Sequence, residues 1–365
     1  MVGHCYFFPY LCGAFTPQYM ENDTFYLNRC FELARLGAGR VSPNPLVGAL
    51  LADADGIIAE GWHQYYGGAH AEVNCLNAVR PQDRYRISKS TLYCSLEPCF
   101  HYGKTPPCVE AVLRAAIPKV VISNLDPNPL TAGQSVKKLR AAGVEVTEAV
   151  LEKEGAFLNR AFFTWILQKR PYVILKWAQS RDGFVGRPQE RTAISSAPAL
   201  RYVHRLRGET DAILVGGQTA LTDNPRLDTR FYPGARNPLR VAADRRGQLP
   251  ATHHLLDDSA ETWILGLDRA GSFERTRFYD ASTSAPGSLA AQLYAANKGI
   301  LLVEGGPKTH LQWLESGLWD EIIVLENNKM LRNGIFAPVL PEQACLSESF
   351  WIQTDHIRRY CKLND

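Results

Sequence analysis

The feature of the sequence that most restricts the fold is an alternation of strand and helix patterns, which occurs in two successive blocks. The first block contains apolar segments such as VGALLAD (47–53) and STLYCSL (90–96), separated by segments with helical spacing. The second block contains YVILKWAQS (172–180) and GILLVEGG (299–306), again with helical segments between them. Strands that alternate with helices form sheets covered by helices. We therefore predict a three-layer α/β domain with a mainly parallel sheet, followed by a second α/β unit.

A helical segment separates the two blocks. LEKEGAFLNRAFFTWILQK (151–169) is typical of a connecting helix, and Arg170-Pro171 ends it because proline disfavours helical geometry in the residue before it. A chain of 365 residues is long enough for two domains, each with its own core. We predict a first domain over residues 20–150, a linker helix over 151–170 and a second domain over 171–365.

The first residues differ in composition from the rest of the chain. MVGHCYFFPYLCGAF (1–15) is apolar and aromatic but contains no Lys or Arg, so it is a poor secretory signal. Met20 is followed by ENDTFYLNRCFELARLG (21–37), which has the acidic start and apolar spacing of a helix. We expect residues 1–19 to lie upstream of the natural start, or to form a loosely held extension.

The overall composition argues against several classes of function. The net charge is only +3 and no Lys/Arg run stands out, so general electrostatic binding of nucleic acid is not indicated. The longest apolar runs are too short to span a membrane. The nine cysteines are odd in number and lack the spacing of small secreted domains. We therefore expect thiols or metal ligands rather than disulfides, and a cytoplasmic protein.

Four residues have the spacing of a catalytic metal site. His70 and Glu72 form an H-x-E motif, and Cys99 and Cys108 each follow a proline. One imidazole and two thiolates suit Zn²⁺ and leave a fourth position for water. Zinc nucleobase deaminases have an H-x-E…P-C-x-x-C pattern, whereas the two cysteines here are separated by eight residues. Helical patterns begin at His70 and Cys108, and a helix N-terminus stabilises a thiolate, so two helix starts could converge on one metal.

The alternatives are a structural zinc site or ordinary buried thiols. Structural zinc normally has four protein ligands, and His101 is available as a fourth. Glu72, two residues after His70, favours catalysis instead. Zinc lowers the pKa of a bound water to about 7, and Glu72 could take the water proton and deliver it to departing ammonia.

Taken together, the motifs resemble a known family of bifunctional riboflavin-biosynthesis deaminase–reductases. The deaminase half of that family is matched by PNPLVGALL (43–51), GGAHAEVNCL (67–76), SLEPCFHYGKTPPC (95–108) and DPNP (126–129). The reductase half is matched by VILKWAQSRDGFVG (173–186), VGGQTALTDNPRLDTR (215–230) and LLVEGGPKTHLQWLESGLWDEIIV (301–324). The resemblance covers about residues 20–330. It implies an α/β chain with a three-layer cytidine-deaminase-like domain, followed by a dihydrofolate-reductase-like α/β domain.

The resemblance implies two reactions. The first is zinc-dependent hydrolytic deamination of 2,5-diamino-6-(5-phosphoribosylamino)pyrimidin-4-one, with one Zn²⁺ per deaminase domain. The second is NADPH-dependent reduction of the ribosyl group to ribityl. The expected partner is this small-molecule substrate, with neither nucleic acid nor membrane, and the expected assembly is a homo-oligomer, a dimer or tetramer.

The resemblance also assigns site residues. The implied zinc ligands are His70, Cys99 and Cys108, with Glu72 as the catalytic proton shuttle. The implied substrate-binding residues of the deaminase are Asn44, His63, Lys104, Thr105, Asp126 and Asn128. In the reductase, Asp223 is implied as the catalytic residue at the reacting sugar. The implied substrate-binding residues there are Arg207, Leu227, Arg230 and Glu304. The implied cofactor-binding residues are Lys176, Asp182, Gly183, Ser195, Thr219, Gly305 and Gly306.

Elementary chemistry supports some of these assignments and leaves alternatives for others. Arginine suits a ribose phosphate through two-point pairing, and the Gly305-Gly306 pair would let the backbone approach a dinucleotide closely. Asn44 and Asn128 each precede a proline, so simple turn formation is the alternative for both. No G-x-G-x-x-G motif occurs, so NADPH rests on the resemblance and not on a Rossmann site.

The chain departs from the family pattern at several positions. Tyr102 replaces the second histidine of the loop between the cysteines, Arg181 replaces a common apolar residue, and AISS (193–196) lacks a frequent tryptophan. Two other functions share some of the motifs. A nucleic-acid base deaminase of the tRNA type, with an accessory domain, would require a basic, aromatic-rich surface. A zinc-stabilised scaffold would have no use for Glu72 as a proton shuttle.

Overall fold

A computed structural model of the protein describes residues 18–101, 106–268 and 273–363. The chain divides between Lys169 and Arg170 into two compact units, each with its own sheet. We call residues 18–169 the first unit and residues 170–363 the second unit.

In its described residues, the first unit has a five-stranded sheet with helices on both faces. The strands are β1 (Gly48–Asp53), β2 (Gly56–Trp62), β3 (Thr91–Leu96), β4 (Lys119–Asn124) and β5 (Glu145–Thr147). The helices are α1 (Gln18–Arg35), α2 (Ala71–Asn77), α3 (Cys108–Arg114), α4 (Gln134–Ala141), α5 (Glu152–Leu158) and α6 (Arg160–Gln168), with a 3₁₀ helix at Pro81–Lys89. The strand order is β2-β1-β3-β4-β5.

Alternate residues of these strands point to opposite faces, as the pleat requires. Leu50, Tyr93 and Val121 pack in a cluster with Leu27 of α1. Leu51 and its neighbours on the other face pack against residues of α2, α3 and α4. The predicted three-layer arrangement is therefore confirmed.

The direction of the strands corrects one expectation. Pairs β3–β4 and β4–β5 are parallel, but β1 pairs antiparallel with both β2 and β3. The sheet is thus mixed rather than mainly parallel. Only two residues connect β1 to β2, and a connection this short can join only antiparallel strands.

The segment predicted as one linker helix forms two helices that belong to the first unit. Asn159, which is 2% exposed, lies between the end of α5 at Leu158 and the start of α6 at Arg160. The Asn159 side chain binds both backbone polar groups of Leu46. Its Oδ1 accepts a hydrogen bond from the Leu46 N–H at 2.8 Å, and its Nδ2 donates to the Leu46 carbonyl at 3.0 Å. These bonds connect the helix break to the Asn44-Pro45-Leu46 loop, which precedes β1.

Within its described part, the second unit is built on a nine-stranded sheet. Its strands are β6 (Tyr172–Ser180), β8 (Ala212–Gly216), β9 (Leu239–Ala243), β10 (Thr262–Leu265), β11 (Thr276–Tyr279), β12 (Ile300–Val303), β13 (Glu321–Asn327), β15 (Ala344–Ile352) and β16 (Asp355–Lys362). Two short strands, β7 (Phe184–Gly186) and β14 (Ile335–Phe336), pair with each other in a separate sheet. The helices are α7 (Ala197–Glu209), α8 (Gly217–Asp223), α9 (Pro286–Ala295) and α10 (Pro307–Glu315), with 3₁₀ helices at His254–Leu256 and Ala281–Ser284.

The order of the sheet is β11-β10-β9-β8-β12-β6-β13-β16-β15. All neighbours from β11 to β13 are parallel, and the β15–β16 hairpin adds the antiparallel edge. Trp263, Trp313 and Trp319 are nearly fully buried in the core. Because parallel strands end at the same edge, the segments that follow β6, β8 and β12 lie near one another.

In the parts of the chain that the structure describes, no helix is both long enough and apolar enough to cross a membrane. None of the described cysteines is joined in a disulfide.

Candidate functional site

Three predicted metal ligands converge in the first unit. His70 directly precedes α2, Cys108 is the first residue of α3 after Pro107, and Cys99 lies between β3 and α3. The His70 Nδ1 atom is 3.4 Å from Cys99 Sγ and 3.3 Å from Cys108 Sγ. All three ligand atoms lie within 4.8 Å of one another. The predicted helix starts at His70 and Cys108 are therefore confirmed, and they bring the ligands together.

The chemistry of this trio fits zinc. Hydrogen bonds from Cys108 and His70 outweigh the effect of burial and lower the pKa of the Cys99 thiol. The Cys108 backbone N–H also donates to Cys99 Sγ at 3.2 Å. A thiolate is the form of cysteine that binds metals. One nitrogen and two sulfur ligands leave a fourth position open, as catalytic zinc sites do.

Glu72 lies in the first turn of α2 and is 3% exposed. Burial, with the nearby charge of Cys99, raises the pKa of Glu72 to about 7. A carboxyl group with a pKa near the working pH can both accept and return a proton.

His70, Cys99 and Glu72 line one pocket of about 400 Å³. Cys108 is buried behind this lining, in the same ligand group as His70 and Cys99. Four predicted substrate-binding residues line the same pocket, namely Asn44, His63, Asp126 and Asn128. Its apolar wall includes Val47, Leu96 and Phe162. His101 lines the pocket too, but it does not belong to the three-residue ligand group found in the described residues. Lys104 and Thr105 lie outside the described residues, as does Tyr102.

The geometry of His63 defines its protonation. Its Nδ1 atom is 3.0 Å from the Ala69 carbonyl oxygen, which can only accept, so Nδ1 carries the proton. Nε2 then accepts a hydrogen bond from Asn44 Nδ2 at 3.2 Å. Burial lowers the pKa of His63, which keeps the ring neutral. Asn44 also forms a turn, since its N–H donates to the Val41 carbonyl at 2.9 Å. Turn formation and a position in the pocket are therefore compatible.

Two residues that support this pocket were not predicted from the sequence. Asn159 holds Leu46, two residues after Asn44, as described above. Glu97 precedes Pro98-Cys99 and accepts backbone hydrogen bonds from the segment that contains Asp126. The available signals were an acid beside the P-C pair and an asparagine inside a helical pattern. Neither signal identifies a partner that is distant in the chain.

In the second unit, a buried ion pair brings two predicted substrate-binding residues together. Arg207 donates twice to Glu304, from Nε to Oε1 at 3.0 Å and from Nη2 to Oε2 at 2.7 Å. Burial opposes ionisation of Glu304, but the charges of Arg207 and Lys176 outweigh it and lower the pKa of Glu304 to about 2. Burial lowers the pKa of Lys176 itself.

Asp228 connects this pair to Arg230. Its backbone carbonyl accepts from Arg207 Nη1 at 3.1 Å, and its carboxylate pairs with Arg230. The Arg230 guanidinium also lies 4.9 Å from the centre of the Phe231 ring. Leu227, buried and with a φ of +52°, forms part of the same loop. Asp223 ends α8 just before this loop, and burial raises its pKa.

The predicted cofactor residues lie mostly after the ends of parallel strands. Asp182 and Gly183 follow β6, Thr219 lies in α8 after β8, and Gly305-Gly306 follow β12. This edge is where ligands bind in open α/β sheets. Lys176 lies inside β6, and Ser195 is next to Ser196, the N-cap of α7.

The structure gives Asp182 and Gly305 local roles as well. The Asp182 carboxylate accepts the Ser180 hydroxyl at 2.6 Å and the N–H groups of Leu331 and Arg332 at 3.1 and 2.7 Å. A Cβ atom on Gly305 would lie 2.3 Å from the Gly216 nitrogen. Position 305 therefore requires glycine because its backbone lies very close to the backbone of strand β8.

Two of the departures from the family pattern lie outside the core of the second unit. Arg181 and Ala193 are both exposed, although Ile194 beside Ala193 is buried. The replacements therefore fall at positions where a larger or charged side chain changes no fully buried contact.

Comparisons with known proteins agree with this arrangement. Residues 20–124 match the family model described as the zinc-binding region of cytidine and deoxycytidylate deaminases, and residues 171–343 match the RibD C-terminal domain. The chain is similar to the riboflavin biosynthesis protein RibD of Aquifex aeolicus (strain VF5), with 36% identity over 322 residues, 86% of this chain and 89% of that protein. It is 32% identical over 339 residues to RibD of Escherichia coli (strain K12), covering 85% of this chain and 88% of that protein.

Solved structures show the same likeness. A diaminohydroxyphosphoribosylaminopyrimidine deaminase/5-amino-6-(5-phosphoribosylamino)uracil reductase from Thermotoga maritima superposes with a TM-score of 0.87 at 31% identity, covering 95% of this chain and 100% of that chain. RibD of Acinetobacter baumannii gives a TM-score of 0.83 at 29% identity, covering 94% of this chain and 100% of that chain.

Proposed function

The chain belongs to the RibD family and is a bifunctional deaminase and reductase of riboflavin biosynthesis, and we propose which of its residues carry out each reaction. It has a zinc-binding deaminase domain and a reductase domain of the NADPH-dependent RibD type. We assign deamination to the first unit and reduction to the second.

The proposed substrate of the first unit is 2,5-diamino-6-(5-phosphoribosylamino)pyrimidin-4-one. His70, Cys99 and Cys108 would hold zinc, which supplies Lewis-acid activation of water when bound. Glu72 takes one proton from the attacking water and passes it to the ring nitrogen. It then takes the second proton of that water, from the new hydroxyl group, and passes it to the amine, which leaves as ammonia while the carbonyl forms. The observation that carries this proposal is that His70, Cys99 and Glu72 line one pocket, with Cys108 in the same ligand group.

The remaining pocket residues orient the pyrimidine. Neutral His63 and the amide of Asn44 offer a fixed pair of hydrogen-bonding groups. Asp126 and Asn128 face the same space from the segment after β4. Lys104 and Thr105 stay predicted contacts to the ribose phosphate, on the resemblance alone.

In the second unit, we propose that Leu227, Arg230, Arg207 and Glu304 bind the phosphoribosyl group. Arg207 is fully engaged by Glu304 and Asp228, whereas the Arg230 side chain is 42% exposed, so Arg230 is better placed to reach a phosphate. Asp223 is the proposed catalytic residue at the reacting sugar, and burial raises its pKa. NADPH supplies the hydride when bound. Its proposed contacts are Lys176, Asp182, Gly183, Ser195, Thr219, Gly305 and Gly306.

The proposal also covers the location of the protein in the cell and its oligomeric state. Its cysteines fit a reducing compartment, which supports a cytoplasmic location. Strand β15 is an edge strand with exposed Leu346 and Trp351, which supports a homo-oligomer, a dimer or tetramer.

A tRNA-type base deaminase is not favoured, because the second half matches the RibD C-terminal domain. No role for nucleic acid is proposed.

A coupled assay tests the assignments. The purified chain is given the diamino substrate, and ammonia release and NADPH oxidation are followed separately. Glu72→Gln should retain about one zinc per chain and release no ammonia, because the proton shuttle is lost. The same variant should still oxidise NADPH when given the deaminated compound. Unchanged ammonia release from Glu72→Gln would exclude Glu72 as the shuttle.

A further inference from the structure

Glu97 is a buried carboxylate that binds backbone N–H groups of one distant segment. It follows β3, directly precedes Pro98-Cys99, and is 6% exposed. Oε2 accepts the N–H groups of Asp126 and Gly133 at 3.1 and 2.9 Å. Oε1 accepts the N–H of Ser135 at 3.0 Å and that of Val136 at 3.4 Å. One side chain thus binds the segment 126–136 at both ends.

These N–H groups replace a cationic partner. Among the residues that the structure describes, no Lys, Arg or His forms an ion pair with Glu97. Ser135 and Val136 lie in the first turn of the eight-residue helix α4, whose N–H groups are not satisfied within the helix. Negative charge at a helix N-terminus is favourable. An ionised carboxylate has acceptor sites for all four donors, whereas an amide has one oxygen and would direct its own N–H groups at two of them.

The segment that Glu97 holds contains the proposed substrate contacts. The Asn128 N–H donates to Asp126 Oδ1 at 2.9 Å, and the Leu130 N–H donates to Asn128 Oδ1 at 3.1 Å. The placement of Asn128 therefore follows that of Asp126, which depends on Glu97. Glu97 lines the same pocket and is two residues from the metal ligand Cys99.

We propose that Glu97 is a positioning residue of the deaminase, which fixes Asp126 and Asn128 relative to the metal-binding segment. This inference rests on the proposed function of the first unit. Glu97 acts through its neighbours, so its loss weakens the binding of the pyrimidine more than it slows the chemistry. Uniform weakening of binding raises KM and leaves kcat unchanged.

The test compares Glu97→Gln with a matched variant, Asp83→Asn, in the full chain loaded with zinc. Asp83 is a buried acid of the same unit that pairs with Arg80 and does not line the pocket. For Glu97→Gln we expect KM for deamination to rise on the order of tenfold, with kcat changed less than about threefold. Zinc content and NADPH oxidation with the deaminated compound should not change. Asp83→Asn should leave KM unchanged.

Further outcomes decide between explanations. An unchanged KM in Glu97→Gln, with an active unmodified chain, overturns the role of Glu97 alone. A loss of zinc together with a fall in kcat also overturns the positioning role, since that result indicates a general structural role. If Glu97→Gln does not fold, Glu97→Asp keeps the charge on a shorter side chain and should show the same KM increase, and an unchanged KM there overturns the role. An unmodified chain that releases no ammonia contradicts the proposed function, and this inference with it.

Discussion

At the residue scale, local sequence places each proposed zinc ligand, but only the fold brings the ligands together. Pro107 before Cys108 and the H-x-E motif at His70 predict two helix starts, and both are observed. The distance of 3.3 Å between His70 Nδ1 and Cys108 Sγ depends on the packing of α2 and α3 on the same face of the sheet. Glu97 and Asn159 were missed because their partners, Asp126 and Leu46, are distant in sequence.

Removing one proposed ligand should remove the metal. We expect Cys99→Ser to lose most of its zinc on dialysis against a chelator, because a hydroxyl is a poor zinc ligand. The control is Cys30→Ser in α1, a buried thiol that donates to the Tyr93 carbonyl at 3.4 Å and lies outside the trio. Metal analysis of both variants checks this. Equal zinc contents would contradict the assignment of Cys99.

The Arg207–Glu304 pair predicts a pH-dependent contribution to stability. The pKa of Glu304 is about 2 in the folded chain, below the value of about 4.3 of an unfolded chain. The ionised pair therefore stabilises the second unit above about pH 4.3, and this contribution is lost as the pH falls towards 2. Glu304→Gln should lower the free energy of unfolding by about 3 kcal/mol at pH 7 and by clearly less at pH 3.

Urea unfolding, followed by tryptophan fluorescence, measures this difference. The control is Glu348→Gln, since Glu348 pairs with Arg359 at an exposed position, where an ion pair contributes little. A destabilisation by Glu304→Gln that is the same at both pH values would contradict the prediction.

At the scale of elements, the sequence predicted most strands and helices, and the misses share a physical cause. The 151–170 segment has helical spacing throughout, which predicted one helix. Two helices form instead, and Asn159, between them, makes its side-chain hydrogen bonds to the Leu46 backbone. The β15–β16 hairpin was not assigned because β15 is an edge strand with mostly exposed residues, which weakens the alternating pattern. In both cases tertiary position, rather than local propensity, decides the outcome.

Two glycines of the second unit should respond differently to alanine. In Gly305→Ala, the new Cβ would lie 2.3 Å from the Gly216 nitrogen and 2.4 Å from the Val215 Cα, so the ends of β8 and β12 must separate. We expect a loss of about 3 kcal/mol. Gly183 has a φ of +83°, and a methyl group added there would have nothing within 4 Å, so Gly183→Ala should cost about 1 kcal/mol. Thermal unfolding of both variants measures the difference, and equal shifts in Tm would refute it.

At the scale of the whole molecule, each unit has its own sheet and core. Length and the two blocks of strand and helix patterns predicted two domains, and the structure divides into two compact units. The family comparisons match one domain in each half. What the sequence did not indicate is that residues 151–169 belong to the first unit, because the contacts that place them there are to residues more than a hundred positions earlier.

This division predicts where the chain can be cut. A fragment of residues 1–169 should release ammonia from the diamino substrate, and a fragment of residues 170–365 should oxidise NADPH with the deaminated compound. A fragment of residues 1–150 lacks Asn159, which leaves the Leu46 backbone groups without their partners, and should lose most of the deaminase activity. Equal activity of the 1–150 and 1–169 fragments would contradict a role for α5 and α6.

The hydrogen bonds between Asn159 and Leu46 also bear on how a two-domain gene of this kind can arise and change. A junction between two ancestral genes, or a later insertion, disturbs neither unit if it falls after Lys169. Between residues 150 and 159 the same event would separate the pocket loop from Asn159, which holds it. A stretch that looks, by composition, like a spacer therefore contains the residue on which the pocket loop depends.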